Sequence, residues 1–240
     1  MSPLSLSNGR NWRFLLLDSP DNRNAISNSV MDALENACAL SEADGRGLCI
    51  ASANSYFSSG ADLTELAGLT RSGASARSMR AQNLCARLAH GSFRSIAVVR
   101  GHCIGKGLEI ALACQRIVAD KSAWFMFPEM LMGFLPGSGG EKLLKRRVIG
   151  AFADEILVTG RKVDAEEAQR IGLVDRVLHG LDTPPPEELL DNVFEASGGV
   201  LPRFEADPAF AAKYADIITS SAAQKLIKAR LSEIQKLKAD

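Results

Sequence analysis

Short apolar runs of strand length, at residues 12–17, 48–51, 96–99 and 116–119, recur along the chain with helical stretches set between them. Helical periodicity is read at residues 29–40 and 77–88, and a short helix carrying Glu109 precedes the run at 116–119. Strands alternating with helices predict an α/β fold with mostly parallel pairing. From Glu141 onward the pattern turns helical, at 151–158 and 165–171, with residues 173–177 following. Pro184-Pro185-Pro186 marks a linker. Beyond it, Leu226, Ile227, Leu231, Ile234 and Leu237 are placed on one face of a final helix.

Composition narrows the class of function. The 240 residues, 46% of them hydrophobic, suffice for one large domain or a domain with an appendage. Lys+Arg and Asp+Glu stand at 28 each, so no overall charge draws the chain to nucleic acid or an anionic membrane. The cysteines, Cys38, Cys49, Cys85, Cys103 and Cys114, are odd in number and form no C-x-x-C pair, which argues against a disulfide framework or a zinc site. The first thirteen residues are polar, and no stretch approaches the roughly 18 apolar residues of a membrane span. A soluble protein of the cytoplasm is expected.

Glu109 interrupts the run Leu108 to Cys114, which is otherwise apolar. A buried carboxylate needs a pairing, hydrogen bonds or a proton, and a raised pKa is what acid/base chemistry at neutral pH uses. The alternative is a charge in the first turn of a helix, complementing its dipole. Two glycine-containing turns, 57–63 and 101–107, follow strands and precede helices, where free N–H groups face outward. Two such donors converging on one point would stabilise a developing negative oxygen. Named glycine motifs do not fit. A dinucleotide fingerprint requires glycine where Ile110 stands, a Walker loop requires Ser or Thr where Gly107 stands, and Gly137-Ser138-Gly139 is not a hydrolase elbow.

Several motifs nevertheless occur together in a fixed order. Ser59-Gly60-Ala61-Asp62-Leu63, then Gly101-x-x-x-Gly105-x-Gly107-x-Glu109, then Phe127-Pro128-Glu129-x-x-x-Gly133-x-x-Pro136-Gly137-x-Gly139-Gly140 resemble the signature of the crotonase superfamily, the enoyl-CoA hydratases and isomerases. Arg23-Asn24-Ala25 and the stretch from Leu157 to Val177 extend the likeness. The resemblance implies an α/β fold, a crotonase-like spiral of ββα units with a helical C-terminal region. The core is placed at 1–180, and 181–240 is assigned to trimerisation and to covering the active site. Residues 197–204 match no usual hydratase C-terminus.

The resemblance further implies an acyl thioester of coenzyme A as substrate, with coenzyme A present only as part of it, and no separate cofactor or metal. Its carbonyl oxygen would be held by the backbone N–H groups of Ala61 and Lys106. Lys106 departs from the glycine or alanine more usual there; its side chain is expected to turn away from the carbonyl, the alternatives being crowding of the pocket or contact with a phosphate. Glu109 and Glu129 correspond to the paired acid/base carboxylates, Glu109 handling water and Glu129 the Cα proton. Arg23, Ala25, Gly60, Asp62, Leu63, Gly105 and Gly137 fall at substrate-binding positions, with Asp62 structural rather than catalytic. Hydration of a trans-2-enoyl-CoA by a homotrimer or dimer of trimers is the activity expected. Isomerisation by Glu129 alone, other acyl-CoA enolate chemistry such as decarboxylation or hydrolysis, and a catalytically silent scaffold are the alternatives.

Overall fold

Strands that are apolar on both faces require a sheet covered on both sides. The computed structural model, which describes residues 4–196 and 201–239 with side chains as far as 236, contains such a sheet. It is assembled from β1 (Leu4–Asn8), β2 (Trp12–Leu17), β3 (Gly47–Ser52), β4 (Ser95–Val99), β6 (Arg116–Asp120) and β9 (Arg176–Leu178), in the order β1-β2-β3-β4-β6-β9. Every pairing is parallel except that of β1 with β2. A second sheet, in the order β5-β7-β8, consists of β5 (His102–Ile104), β7 (Trp124–Met126) and β8 (Val163–Asp164).

The two sheets are built together. β4 enters the large sheet, β5 the small one, and α4 (Lys106–Ala113) returns the chain; β6 and β7 repeat the move before α5 (Gly140–Lys145). One layer earlier, the segment after β3 takes the small-sheet position, because Ser58 bridges Cys103 in parallel. The chain therefore advances as a spiral of ββα units, as the sequence resemblance implies.

On one side of the large sheet Leu15, Leu17, Leu48, Ile50, Ala97, Val99, Ile117 and Ala119 pack against α1 (Asn28–Asp44), α3 (Arg71–His90) and α4. The alternate residues Trp12, Phe14, Cys49, Ile96, Val98 and Val118 face the other way. There they meet Leu190 and Val193 of α8 (Glu187–Ala196), which begins directly after the three prolines. The remaining helices are α2 (Leu63–Leu66), α6 (Gly150–Thr159), α7 (Ala165–Arg170), α9 (Pro208–Ile218) and α10 (Ser221–Ala239). Leu66 of α2, Tyr214 and Ile218 of α9, and Ile227 of α10 form a third apolar cluster with Phe134.

Sequence and structure differ in places. The short strands β1, β5, β7 and β8 and the helix α9 carry no periodic signal that the sequence reading resolved. The apolar face of α10 is narrower than expected: Ile227 is buried, whereas Leu226 is exposed, because adjacent residues of a helix point about 100° apart. Residues 197–200 and the side chain of Leu237 lie outside the described residues.

Candidate active site

The layered turns fix two backbone donors first. Ile26 N–H donates to Gly60 O at 2.7 Å, and Asp62 N–H donates to Ile26 O at 3.4 Å, which leaves the N–H of Ala61 outside the ladder. In the next layer Gly105 N–H donates to Met126 O, Gly105 takes φ 51°, and α4 starts at Lys106. Neither Ala61 N–H nor Lys106 N–H has a hydrogen-bond partner among the described residues. The turns abut: a Cβ on Gly60 would lie 3.1 Å from Ile104 O and 3.8 Å from Lys106 N. Two free donors thus come together from successive layers, the arrangement that stabilises an oxyanion.

Glu109, one turn into α4, is 1% exposed. Its Oε1 accepts the N–H groups of Ser138, at 2.7 Å, and Gly140, at 2.9 Å. Its Oε2 accepts the Ser138 hydroxyl at 2.8 Å, and the Lys106 ammonium stands 3.8 Å from the same oxygen. Its hydrogen-bond and ion-pair partners are all donors or a cation, groups that complement a carboxylate's negative charge. Of the paths considered from sequence, Lys106 follows the one into the pocket, whose lining it joins. Its side chain, 8% exposed, folds inward and donates from Nζ to Ser138 Oγ. Burial lowers its pKa, and the Glu109 charge opposes that effect.

Glu129 occupies a different environment. It opens a 3₁₀ turn, Glu129–Met132, just after Phe127-Pro128, and is 8% exposed. Its Oε2 is buried without a partner. Burial, reinforced by the charge of Glu109, pushes its pKa up to about 8. A methyl on Gly105 would collide with its carboxylate, so glycine there makes room for the acid as well as permitting a positive φ. Two carboxylates in one site with opposed surroundings divide naturally into an anion and an acid.

Ala61, Lys106, Glu109, Glu129 and Gly137 all line one cavity of about 20 Å³, with Leu66, Arg77, Ser78, Phe134 and Tyr214 closing its walls. That volume holds one water molecule. Leu63 lies beside the cavity in the third apolar cluster, and Asp62 caps α2 by accepting Thr64 N–H at 2.9 Å, the structural task expected of it. Arg23 and Ala25 are on the neighbouring turn, which is tied to the Gly60 segment by Ser59 N–H donating to Arg23 O. Arg23 is exposed and Ala25 buried, and neither lines the cavity.

Sequence reasoning missed Ser138, Arg77 and Tyr214. Ser138 had been tested only as a nucleophile; its proximity to Glu109 requires the loop after Pro136 to fold back over α4. Arg77 is engaged by Glu65 at 2.7 Å and Asn28 at 2.8 Å. Tyr214 arrives from α9, a segment without a recognisable motif, and burial together with both glutamate charges raises its pKa, keeping the phenol protonated.

Opposed carboxylates beside paired amide donors, on a spiral α/β scaffold, form an arrangement able to carry acid/base chemistry on an activated carbonyl. The enoyl-CoA hydratase/isomerase family model matches residues 14–235, and the chain belongs to that family, within the crotonase superfamily. A 2,3-dehydroadipyl-CoA hydratase of Escherichia coli is 35% identical over 179 residues, covering 74% of this chain and 69% of the relative. A probable enoyl-CoA hydratase of Mycobacterium bovis is 33% identical over 203 residues, covering 84% and 76%. The crystal structure of an enoyl-CoA hydratase from Mycobacterium avium superposes with a TM-score of 0.80 at 24% identity, over 97% of each chain, and bears on the fold.

Proposed function

We propose that the protein hydrates trans-2-enoyl thioesters of coenzyme A. The observation that carries this reading is the pair of carboxylates on one water-sized cavity, Glu109 surrounded by donors and Glu129 raised to about 8. The thioester oxygen is received by Ala61 N–H and Lys106 N–H, which stabilise the enolate as charge builds there. Glu109, the anion, takes a proton from the water whose oxygen attacks Cβ. Glu129, neutral below about pH 8, delivers its proton to Cα. One water is consumed, a hydroxyl and a hydrogen are added, and the proton left on Glu109 must pass to Glu129 before the next turnover.

The test is the loss of conjugated enoyl absorbance with crotonyl-CoA and longer enoyl-CoAs. Glu109→Gln and Glu129→Gln should each lower kcat by about 10²–10⁴-fold. Full hydration by Glu109→Gln would sink the two-carboxylate mechanism. The dense hydrogen bonding of Glu109 favours one rival, double-bond isomerisation by Glu129 alone. That rival predicts turnover of a 3-enoyl-CoA that survives Glu109→Gln.

In the same reading the enzyme works as a homotrimer or dimer of trimers, supported by exposed apolar side chains beside the Glu129 turn: Met130 and Leu131 on the turn itself, and Phe152 and Val158 on α6. A cytoplasmic location is supported by the cysteines, all free and buried. Among the described residues no helix is long and apolar enough to cross a membrane.

A further inference from the structure

A lysine at the first position of α4 has no need to enter the site, since only its backbone N–H serves the oxyanion. Its side chain enters nonetheless, and a buried ammonium carries a desolvation cost that only good partners offset. Those partners are Ser138 Oγ and the Glu109 carboxylate. The Ser138 hydroxyl accepts from Lys106 and donates to Glu109 Oε2, so the three groups form one directed chain, Lys106 to Ser138 to Glu109. The chain ends on the carboxylate whose neighbour, Glu129, shares the cavity.

We infer that Lys106 is a positioning residue: through Ser138 its ammonium holds Glu109 as the oriented anion beside Glu129 and supplies the positive charge of the pair's shared cavity. The inference deepens the hydratase reading and rests on it for its kinetic consequence. Its electrostatic basis is general. A positive charge a few ångströms from two carboxylates favours their ionised forms, whereas the Glu109 anion acting alone on Glu129 favours the acid. The charged and titratable groups facing this pair are few. Lys106 comes from α4, Arg77 and Cys85 from α3, and Tyr214 from α9. Arg77 is occupied by Glu65, and Cys85 and Tyr214 are held neutral by burial. Lys106 is therefore the cation whose removal leaves the Glu109–Glu129 repulsion least compensated.

The consequence appears in a pH profile. If hydration requires Glu129 to be protonated, the rate of the wild-type enzyme falls on the alkaline side around pH 8. In Lys106→Met that alkaline limb should move upward by about one unit, while kcat below it falls through the looser Glu109. Lys106→Arg, which keeps the charge, should hold the limb near its wild-type position. Ser138→Ala, which cuts the chain but retains the Ser138 N–H, should move it in the same direction as Lys106→Met and by less.

A second readout needs no turnover: infrared titration of the protonated carboxyl band assigned by its absence from Glu129→Gln. If the wild-type protein hydrates no enoyl-CoA, the hydratase reading fails while this titration still decides the role of Lys106. Circular dichroism identifies a Lys106→Met variant that has not folded, in which case Lys106→Gln and Ser138→Ala take its place. An unshifted Glu129 midpoint in the folded variants, with losses confined to thermal stability or KM, would overturn the inference and reduce Lys106 to a packing residue.

Discussion

At the residue scale the two glutamates of the candidate site stand in contrasting surroundings, Glu109 among donors and Glu129 with an unpartnered oxygen. Glu129 has its pKa raised from 4.5 to about 8 in the folded protein. The stability tied to its neutral form is complete below about 4.5, where both states are protonated, and is lost as pH climbs to about 8, because only the unfolded chain has released its proton. Glu129→Gln should therefore slow hydration as proposed above and yet unfold at a higher temperature than wild type at alkaline pH, a gain on the order of a few kcal/mol that vanishes in acid. Thermal melts across pH check it; equal melting temperatures at alkaline pH would show that Glu129 is not destabilised by its burial. Gly105→Ala tests the room made for this acid. With φ 51° and the carboxylate in the way of a methyl, the variant should lose about 100-fold in kcat and roughly 1–3 kcal/mol in stability. Both glutamates and both turns were legible in the sequence, because their motifs are local. Ser138 and its pairing with Lys106 and Glu109 were not, since these partners meet across a loop whose course no short pattern specifies.

At the scale of elements, the strands buried on both faces were the most legible parts of the chain. β2, β3, β4 and β6 are apolar runs in sequence because helices cover each side. The small sheet escaped notice for the opposite reason: strands of three, three and two residues are too short to show a period of two. Its register is imposed by the larger sheet beside it. α9 and α10 present a different case, an apolar seam in which Tyr214 lines the cavity and Ile227 packs in the cluster behind it. Ile227→Ala should cost about 2–4 kcal/mol locally, since the side chain is fully buried. Amide exchange is then expected to accelerate in α9 and α10 while β3 and β4 keep their protection, and KM for the acyl-CoA should rise more than kcat falls. Uniform acceleration across the sheet would mean that these helices do not open separately.

For the whole molecule, the distribution of exposed apolar side chains is uneven. Among the described residues, Ile149, Phe152 and Val158 at α6, with Met130 and Leu131, account for five of the eight large hydrophobic residues left exposed. Such a concentration supports the assembly proposed above, since exposed apolar patches serve as contact surfaces. Phe152→Asp combined with Leu131→Asp should shift the protein from oligomer to monomer in sedimentation analysis. Because Leu131 shares a turn with Glu129, activity should fall alongside. A monomer before and after the change would remove the assembly from the account.

The spacing of the two backbone donors proposed to hold the thioester oxygen is set by neither Ala61 nor Lys106 as side chains. It follows from the backbone pairing of adjacent layers, tied here by the bridges Ile26 to Ala61 and Ser58 to Cys103. A catalytic dimension tied to the peptide unit is indifferent to what evolution writes at either position, proline excepted for want of an N–H. That indifference leaves position 106 open to a lysine, whose side chain can reach Ser138 and Glu109 while its backbone N–H keeps its place in the turn.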